Sequence, residues 1–256
     1  MLGLYGNYDV VVCGGGTSGV TAAVASARTG AKTLLIERVG QLGGQMNFSG
    51  PPGFSFAHLF NGRQEQIIAG FAEETHKRLL DEGHALPHML VEHRSHYTFS
   101  YVDPDWWGLL VYKICREEGV ELMLHSLVTE VIREGDVVKG VICEHPGGRS
   151  AVLAKVVIDC TGEGEVCYQA GAECETAPIQ ILEPSTVAFT ADGVDWDKVV
   201  TYIHEHIDDF IFNQIYNPYS KWTDEKIRQR VMEIDDILEI GEVMGCLLYT
   251  SPSPRD

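Results

Sequence analysis

Residues 8–19 read YDVVVCGGGTSG, and residues 33–37 read TLLIE. The first stretch is a short, mainly β-branched apolar run that passes directly into glycines, which is typical of a strand buried on both faces. The small residues at 20–27 predict a helix that ends by Gly30, and the second stretch predicts another buried strand. The order strand, glycine turn, helix and strand predicts an α/β fold with a parallel sheet.

The glycines of this turn follow the G-x-G-x-x-G spacing that accommodates the diphosphate of a dinucleotide. Gly14 permits the tight turn, Gly16 lets the backbone approach a diphosphate, and Gly19 lets the helix pack closely on the sheet. The N-terminus of the helix then offers free N–H groups and a positive dipole end. The residues predicted to bind the diphosphate are Gly14, Gly15, Gly16, Thr17, Ser18 and Gly19.

An acidic residue, Glu37, ends the second strand and lies 18 positions after Gly19. A carboxylate at this place accepts hydrogen bonds from the ribose hydroxyls of an adenosine and repels a 2′-phosphate. The motif by itself does not choose between NAD and FAD. It is also compatible with a glycine-rich structural turn in an unrelated α/β protein.

The loop after Glu37 reads RVGQLGGQ over residues 38–45 and is too long for a simple turn. A Glu followed by a basic residue and an L-G-G element resembles the FAD-dependent oxidoreductases with a two-dinucleotide-binding-domain fold, related to the heterodisulfide reductase flavin subunit. This resemblance implies FAD as the cofactor. It also implies that the loop wraps the ribityl and flavin part of FAD, through Arg38, Leu42, Gly43 and Gly44.

A second stretch, KVVIDCTGEGEV at residues 155–166, carries the same resemblance. An apolar strand ends in Thr-Gly, and the following helix is expected to carry residues 170–172. The resemblance implies that Thr161, Gly162 and Glu163 lie against FAD near its diphosphate and ribose. It also implies that the region around Val128 contacts the adenine through its backbone. The chain departs from the family pattern at three positions, with Cys160 in place of Ala and with Glu163 and Glu165 in place of Asp.

The remaining pattern predicts further elements and a domain division. Apolar periodicity predicts a helix over 67–82 and acidic helices over 196–212 and 223–240. A further helix is predicted over 104–118, with Asp103 as its cap and Pro104 at its first position. Strands are predicted at 120–124, 127–133, 137–143 and 151–158, the last three as an antiparallel meander. The expected division is an FAD-binding domain at 1–180 with an inserted loop at 84–102, and the start of an incomplete substrate or cap domain at 181–245.

The last eleven residues, 246–256, read CLLYTSPSPRD and resemble the translation of a sequencing adaptor. We therefore expect a non-native tail on a C-terminally truncated fragment. Members of the family return late in the chain to the FAD-binding domain. A fragment without that return is expected to hold FAD weakly and to lack turnover.

The histidines and cysteines give weaker signals. Four histidines fall between 84 and 96, but no Cys or carboxylate pair near them has the spacing of metal ligands, so no metal site is expected. Catalytic residues are not identified from the sequence, and His93 and His96 are the candidates for a proton donor. The seven cysteines contain no C-x-x-C pair, which favours structural thiols over an iron–sulfur cluster.

Composition excludes several functions. With 19 basic and 37 acidic residues, the chain carries a net charge of −18 and repels nucleic acid. No apolar run reaches the ~18 residues of a membrane span, and an odd number of cysteines without a secretory signal predicts a cytoplasmic protein.

The sequence thus predicts an FAD-dependent oxidoreductase that transfers hydride or electrons between bound flavin and a small organic substrate, with a redox partner protein left open. Two alternatives stay open at this point. One is an NAD(H)-dependent Rossmann dehydrogenase, and the other is a non-catalytic flavin- or nucleotide-binding subunit for electron transfer.

Overall fold

The buried strands predicted from the sequence form the centre of a six-stranded sheet. A computed structural model of the chain describes residues 2–48, 59–61, 65–90, 98–100, 102–178, 193–209, 224–237 and 240. The chain divides into two compact units. The first unit comprises residues 1–48 and 105–186, and the second comprises residues 49–104 and 187–256.

Strands and helices alternate along the first part of the chain. The strands are β1 (Gly3–Cys13), β2 (Thr33–Ile36), β3 (Met89–Leu90), β4 (Thr98–Phe99), β5 (Glu121–Met123), β6 (Leu127–Glu134), β7 (Val137–His145) and β8 (Gly148–Asp159). The helices are α1 (Thr17–Arg28), α2 (Gln45–Phe48), α3 (Phe71–Asp81), α4 (Pro104–Glu117), α5 (Glu165–Gln169), α6 (Trp196–Glu205) and α7 (Asp224–Val231), and a 3₁₀ turn covers Ile207–Asp209.

The sheet of the first unit has the strand order β5-β2-β1-β8-β7-β6. In this sheet β5, β2, β1 and β8 are parallel to one another, whereas β8, β7 and β6 form an antiparallel meander. Cys13 of β1 pairs with Ile36 of β2 on one side and with Asp159 of β8 on the other. The residues that follow these three strands therefore leave the sheet at the same edge. The predicted α/β fold with a parallel sheet and a meander is confirmed.

Apolar side chains from both faces of this sheet build the core of the first unit. Val11, Leu34, Ile36, Val141 and Val152 are fully or almost fully buried. Each such side chain contributes roughly 1.5–3 kcal/mol through its removal from water. This core fixes the strand ends from which the glycine turns extend.

The second unit has its own small core. Val200 and Ile203 of α6 pack with Ile227 and Val231 of α7 and with Ile234. The Nε2–H of His204 donates to the carbonyl oxygens of Val231 and Ile234, at 3.1 and 3.0 Å. Because the last carbonyls of a helix have no partner within it, this imidazole completes the end of α7.

Several predicted helix bounds are wrong. The helix predicted from residue 67 begins at Phe71, because Gly70 adopts a left-handed φ of 71° immediately before it. The helix expected to carry residues 170–172 ends at Gln169, and Gly171 turns the chain with a φ of 84°.

The two acidic helices are also shorter than predicted. One ends at Glu205 and continues as a 3₁₀ turn, and the other ends at Val231. The predicted domain boundary at 180–181 and the predicted tail at 246–256 lie outside the described residues. In the described ranges no helix is both long and apolar enough to cross a bilayer.

Candidate functional site

The first glycine turn connects β1 to α1 at the carboxyl edge of the sheet. Gly14 has a φ of 98°, and its N–H donates to the carbonyl oxygen of Ile36 at 2.8 Å. Helix α1 follows with Gly16 as its N-cap, without a side-chain cap and without an acidic residue in its first turn. The first N–H groups of a helix have no carbonyl acceptors within it, so this end of α1 is suited to an anion.

A half-buried carboxylate organises the second turn, after β8. Asp159 accepts hydrogen bonds from the N–H of Thr161 at 3.0 Å, from the hydroxyl of Thr161 at 2.6 Å and from the N–H of Cys167 at 2.8 Å. Burial acts to raise the pKa of this carboxyl, but the three donors outweigh burial and hold the pKa below its ordinary value. The Thr161 hydroxyl also accepts from the N–H of Glu165, so the turn and the start of α5 form one bonded unit.

The two turns lie against each other. The N–H of Cys160 donates to the carbonyl oxygen of Cys13 at 2.8 Å. A Cβ added to Gly14 would lie 2.5 Å from the carbonyl oxygen of Cys160, which is closer than real Cβ atoms approach. The two sequence motifs therefore meet at one place, and glycine at position 14 is what allows it.

Glu37 ties the end of β2 to the first turn. Its Oε2 accepts from the N–H of Gly15 at 2.5 Å, and its Oε1 accepts from the N–H of Val39 at 2.9 Å. The side chain is largely buried, with 9% of its surface exposed. Each carboxylate oxygen can accept a second hydrogen bond. Glu37 can thus hold the backbone and still accept from a ribose hydroxyl.

The L-G-G loop packs on the first turn through its backbone. The N–H of Gly43 donates to the carbonyl oxygen of Gly15 at 2.9 Å, and the indole N–H of Trp107 donates to the carbonyl oxygen of Gly43 at 3.3 Å. The amide of Asn47 also donates to the carbonyl oxygen of Leu42. Leu42 is almost fully buried beneath the turn. These contacts fix the loop beside the N-terminus of α1.

Together these elements border a cavity of about 650 Å³. Pockets for small ligands and cofactors usually measure roughly 300–1,000 Å³. Eleven of the fifteen residues predicted from the sequence to bind the cofactor line this cavity: Gly14, Gly16, Thr17, Ser18, Glu37, Arg38, Gly44, Val128, Thr161, Gly162 and Glu163.

The other four predicted residues shape the wall from behind. Gly15 and Gly43 supply the backbone bonds described above, and Leu42 packs beneath them. A Cβ on Gly19 would overlap the carbonyl oxygen of Gly14, so this glycine sets the distance between α1 and the turn. Their role in the structure is to position the cavity wall.

Sequence reasoning missed part of the lining. The additional residues belong to the strand ends, the short helix α2 and helix α5: Ile36, Val39, Gln45, Phe48, Ser126, Leu127, Cys160, Glu165, Val166 and Gln169. Seven of these ten residues lie one or two positions before or after a predicted residue, so extending each motif by two positions in both directions would have found them. Phe48 and Gln169 carry no such signal. The two histidines predicted as proton donors, His93 and His96, lie outside the described residues.

Four cysteine thiols of the first unit, at Cys13, Cys115, Cys143 and Cys160, are poor nucleophiles. Burial raises the pKa of Cys115 and Cys143 to about 12 and also raises the pKa of Cys13 and Cys160. Only a thiolate attacks or binds metal well, so these side chains are protonated and unreactive near neutral pH. The described cysteines are all free: Cys13, Cys115, Cys143, Cys160, Cys167 and Cys174.

The family of the chain follows from a match that covers nearly all of it. A family model for FAD dependent oxidoreductases matches residues 9–246. The chain belongs to this family. The resemblance to FAD-dependent oxidoreductases and the expected cofactor, FAD, are confirmed, and the NAD(H)-dependent alternative is not favoured. The more specific relation to the heterodisulfide reductase flavin subunit stays a prediction.

Two reductases are similar to this chain over part of their length. Digeranylgeranylglycerophospholipid reductase of Picrophilus torridus is 28% identical over 158 residues, which cover 61% of this chain and 39% of that protein. Digeranylgeranylglycerophospholipid reductase 2 of Methanothermobacter thermautotrophicus is 28% identical over 192 residues, which cover 74% of this chain and 48% of that protein. The chain thus spans less than half the length of these relatives.

A solved structure with a related fold is that of a geranylgeranyl bacteriochlorophyll reductase-like protein from Thermoplasma acidophilum. It has a TM-score of 0.42 and 22% sequence identity to this chain, and the alignment covers 65% of this chain and 42% of that one.

The cavity fits FAD at the place where the glycine turn after β1 faces the L-G-G loop. A Cβ on Gly44 would lie 2.8 Å from the Cα of Gly16, whereas a Cβ on Gly16 would meet nothing closer than 3.9 Å. The space in front of Gly16 is therefore open only because both positions lack side chains. Bare backbone beside a helix N-terminus is what a diphosphate requires.

Proposed function

We propose that the first unit binds FAD in an extended conformation along the carboxyl edge of the sheet. We also propose that the protein is an oxidoreductase, which transfers hydride or electrons between this flavin and a small organic substrate. The observation that carries the proposal is that two glycine turns, distant in the sequence, line one cavity with the N-terminus of α1 and with Glu37. A fold that used the first turn only for structure would have no need of the second turn in the same cavity.

Each part of the cavity has a task in this proposal. The N–H groups at residues 16–18 bind the diphosphate, Glu37 accepts from the adenosine ribose, and Val128 borders the adenine. The L-G-G loop and α2 border the flavin side of the cavity. When bound, FAD supplies the hydride or electron transfer, and the protein positions it and controls access of water.

The proposal is tested by measuring the affinity of the purified full chain for FAD and for NADH. We expect FAD to bind at least tenfold more tightly than NADH, measured by equilibrium dialysis and by quenching of flavin fluorescence. Equal affinity for the two nucleotides, or no binding of FAD, would overturn the proposal.

Replacement of one glycine tests the position of the diphosphate. In Gly16→Ala the added Cβ has room in the protein without ligand, so the melting temperature should stay close to that of the wild type. The methyl group would occupy the approach to the diphosphate, so FAD affinity should fall at least tenfold. Gly3→Ala is the matched control, since its Cβ would also meet its nearest atom at 3.9 Å, on the side chain of Ser150. Unchanged FAD affinity in Gly16→Ala would contradict the assignment.

The substrate, the partner protein and the location are also proposals. A small organic substrate and a redox partner protein would fit the chemistry of a flavin, which accepts electrons from one molecule and passes them to another. The protonated, unpaired thiols of the first unit are compatible with a reducing cytoplasm.

A further inference from the structure

Three side chains that can bind a metal ion gather in the second unit, outside the FAD cavity. Glu73, His76 and His88 each offer one ligand atom, and these atoms lie within 4.8 Å of one another. Glu73 and His76 are three residues apart on α3, so they lie on the same face of the helix. His88 belongs to the segment that leads from α3 into β3.

The hydrogen bonds of His76 fix which ring nitrogen carries its proton. Nε2 lies 3.0 Å from the carbonyl oxygen of Leu86 and 2.8 Å from the hydroxyl oxygen of Ser100. Because a carbonyl oxygen only accepts, Nε2 carries a hydrogen and donates toward Leu86. The side chain of His76 is buried, with 2% of its surface exposed. Metal-binding histidines are commonly oriented by such a bond from their other nitrogen to a carbonyl.

His88 has polar capacity that the described residues leave unused. Its Nε2 lies 3.3 Å from Oε2 of Glu73, which is long for a bond between charged groups. Its Nδ1 is buried and has no hydrogen-bond partner in the described part of the chain. The ring packs at 4.0 Å from the ring of His76 and at 5.0 Å from the ring of Phe60. A buried nitrogen without a hydrogen-bond partner is unfavourable, and a bound ligand would remove this cost.

Glu73 supplies the negative charge of the cluster. Its side chain is only 14% exposed, and it contacts Nζ of Lys77 at 3.3 Å in addition to His88. Lys77 is itself 66% exposed, so the contact between Glu73 and Lys77 is a weak surface interaction. The carboxylate can therefore exchange this contact for a metal ion at small cost.

We propose that Glu73, His76 and His88 form a binding site for one zinc ion or a similar first-row divalent cation. Two imidazoles and one carboxylate are a donor set that zinc uses with a fourth position left for water. Bonds of about 2.0–2.2 Å in a tetrahedral site place neighbouring ligand atoms about 3.4 Å apart. Small rotations of the side chains would therefore bring the three ligand atoms from their present separations to this distance around the ion.

The sequence predicts no metal site here, because no Cys or carboxylate pair near these histidines has the spacing of metal ligands. This site combines a helical i,i+3 pair with one histidine that the fold brings back beside the helix. The alternative for the same residues is a simple ion pair between Glu73 and His88 that packs on His76. That alternative binds no metal, so a metal titration separates the two.

The test uses the purified full chain, freed of metal by a chelator and titrated with Zn²⁺ against a chromophoric competitor. We expect one Zn²⁺ per chain with a dissociation constant in the micromolar range or below, and a rise in melting temperature on binding. Co²⁺ is the spectroscopic probe. It should give the visible bands of a tetrahedral site with nitrogen and oxygen donors and no thiolate-to-metal charge-transfer band.

The variants assign the ligands. His88→Gln and Glu73→Gln should each lower the affinity for Zn²⁺ at least tenfold, whereas His84→Gln, in the same segment, should bind as the wild type does. Glu73→Gln keeps the shape of the side chain, so its circular dichroism should match that of the wild type. Weaker binding of Zn²⁺ in this variant would then result from the lost carboxylate and not from unfolding.

Three results would overturn the proposal. The first is the absence of stoichiometric Zn²⁺ binding in the wild type. The second is wild-type affinity in both Glu73→Gln and His88→Gln. The third is a thiolate charge-transfer band with Co²⁺, which would assign the binding to cysteines.

Discussion

The edge of the sheet in the first unit and the Glu73–His76–His88 cluster in the second unit are built on different principles. At the sheet edge the functional groups belong mainly to the backbone, and glycines create the space for them. In the cluster the functional groups are side chains, two on helix α3 and one on the segment that follows it. A site made of backbone restricts the residues that its turns accept and so leaves a recognisable sequence motif. A site made of side chains from separate segments leaves almost none.

The largest expected effect breaks the first site at its narrowest contact. Gly14→Ala requires a left-handed φ of 98° from a residue with a Cβ and brings that Cβ to 2.5 Å from the carbonyl oxygen of Cys160. We expect a loss of about 3 kcal/mol in the free energy of unfolding and at least a hundredfold loss in FAD affinity. Urea denaturation and FAD titration measure the two effects.

Gly30→Ala is the matched control for this variant. Gly30 has a similar φ of 88°, but an added Cβ would meet nothing within 4 Å. It should cost only about 1 kcal/mol of stability and leave FAD affinity unchanged. Equal losses in the two variants would show that backbone strain, and not the contact between the turns, matters at Gly14.

A smaller effect is expected when the carboxylate behind the second turn is neutralised. The two carboxylate oxygens of Asp159 accept three hydrogen bonds, from Thr161 and Cys167. In Asp159→Asn an amide nitrogen replaces one of these oxygens, so at least one of the bonds loses its acceptor. Bonds to a charged acceptor contribute roughly 1.5–3 kcal/mol, and partial exposure puts the expected loss near the lower end, at about 1.5 kcal/mol. Asp136→Asn, at a fully exposed turn position, should have no measurable effect in the same urea titration.

The pH dependence of this difference follows from the pKa of Asp159, which is lower in the folded protein than its ordinary value of 3.8. A depressed pKa stabilises the fold above the unfolded pKa, and this stabilisation is lost as the pH falls through the folded pKa. The stability difference between wild type and Asp159→Asn should therefore be constant from pH 5 to 7 and should shrink below about pH 4. A difference that persists at pH 2.5 would argue for a packing effect.

The smallest effect concerns the second unit alone. His204→Leu removes the donor to the carbonyl oxygens of Val231 and Ile234 and should cost about 1 kcal/mol, measured by urea denaturation. His204→Gln retains an N–H donor at a similar reach and should recover most of this loss. FAD affinity should be the same in both variants. A change in FAD affinity would mean that the two units are energetically coupled.

The sequence was sufficient for the sheet and for most of the cavity. A Cβ at Gly14 or Gly19 would overlap backbone atoms of the turns, and a Cβ at Gly16 would take up space in the cavity. The spacing of these glycines therefore predicted local geometry and not only composition. Parallel strands then bring Glu37 and Thr161 to the same edge as the first turn, as the register shows.

The rest of the site was not predictable by the same reasoning. The indole of Trp107 and the amide of Asn47 hold the L-G-G loop, but their partners are backbone carbonyls that any loop possesses. The end of α5 at Gln169 was missed because the chain turns at Gly171 with a left-handed φ of 84°, which apolar periodicity does not reveal. His88 reaches α3 only through the intervening turn, so linear spacing did not reveal it.

The double use of Glu37 has a consequence for how this protein can evolve or be redesigned. The same carboxylate that would recognise a ribose also accepts hydrogen bonds from the backbone at Gly15 and Val39. A substitution of Glu37 meant to admit a 2′-phosphorylated nucleotide would also loosen the turn that we propose to bind the diphosphate. Cofactor preference at this position therefore cannot drift one mutation at a time, and a switch would require a compensating acceptor for those two N–H groups.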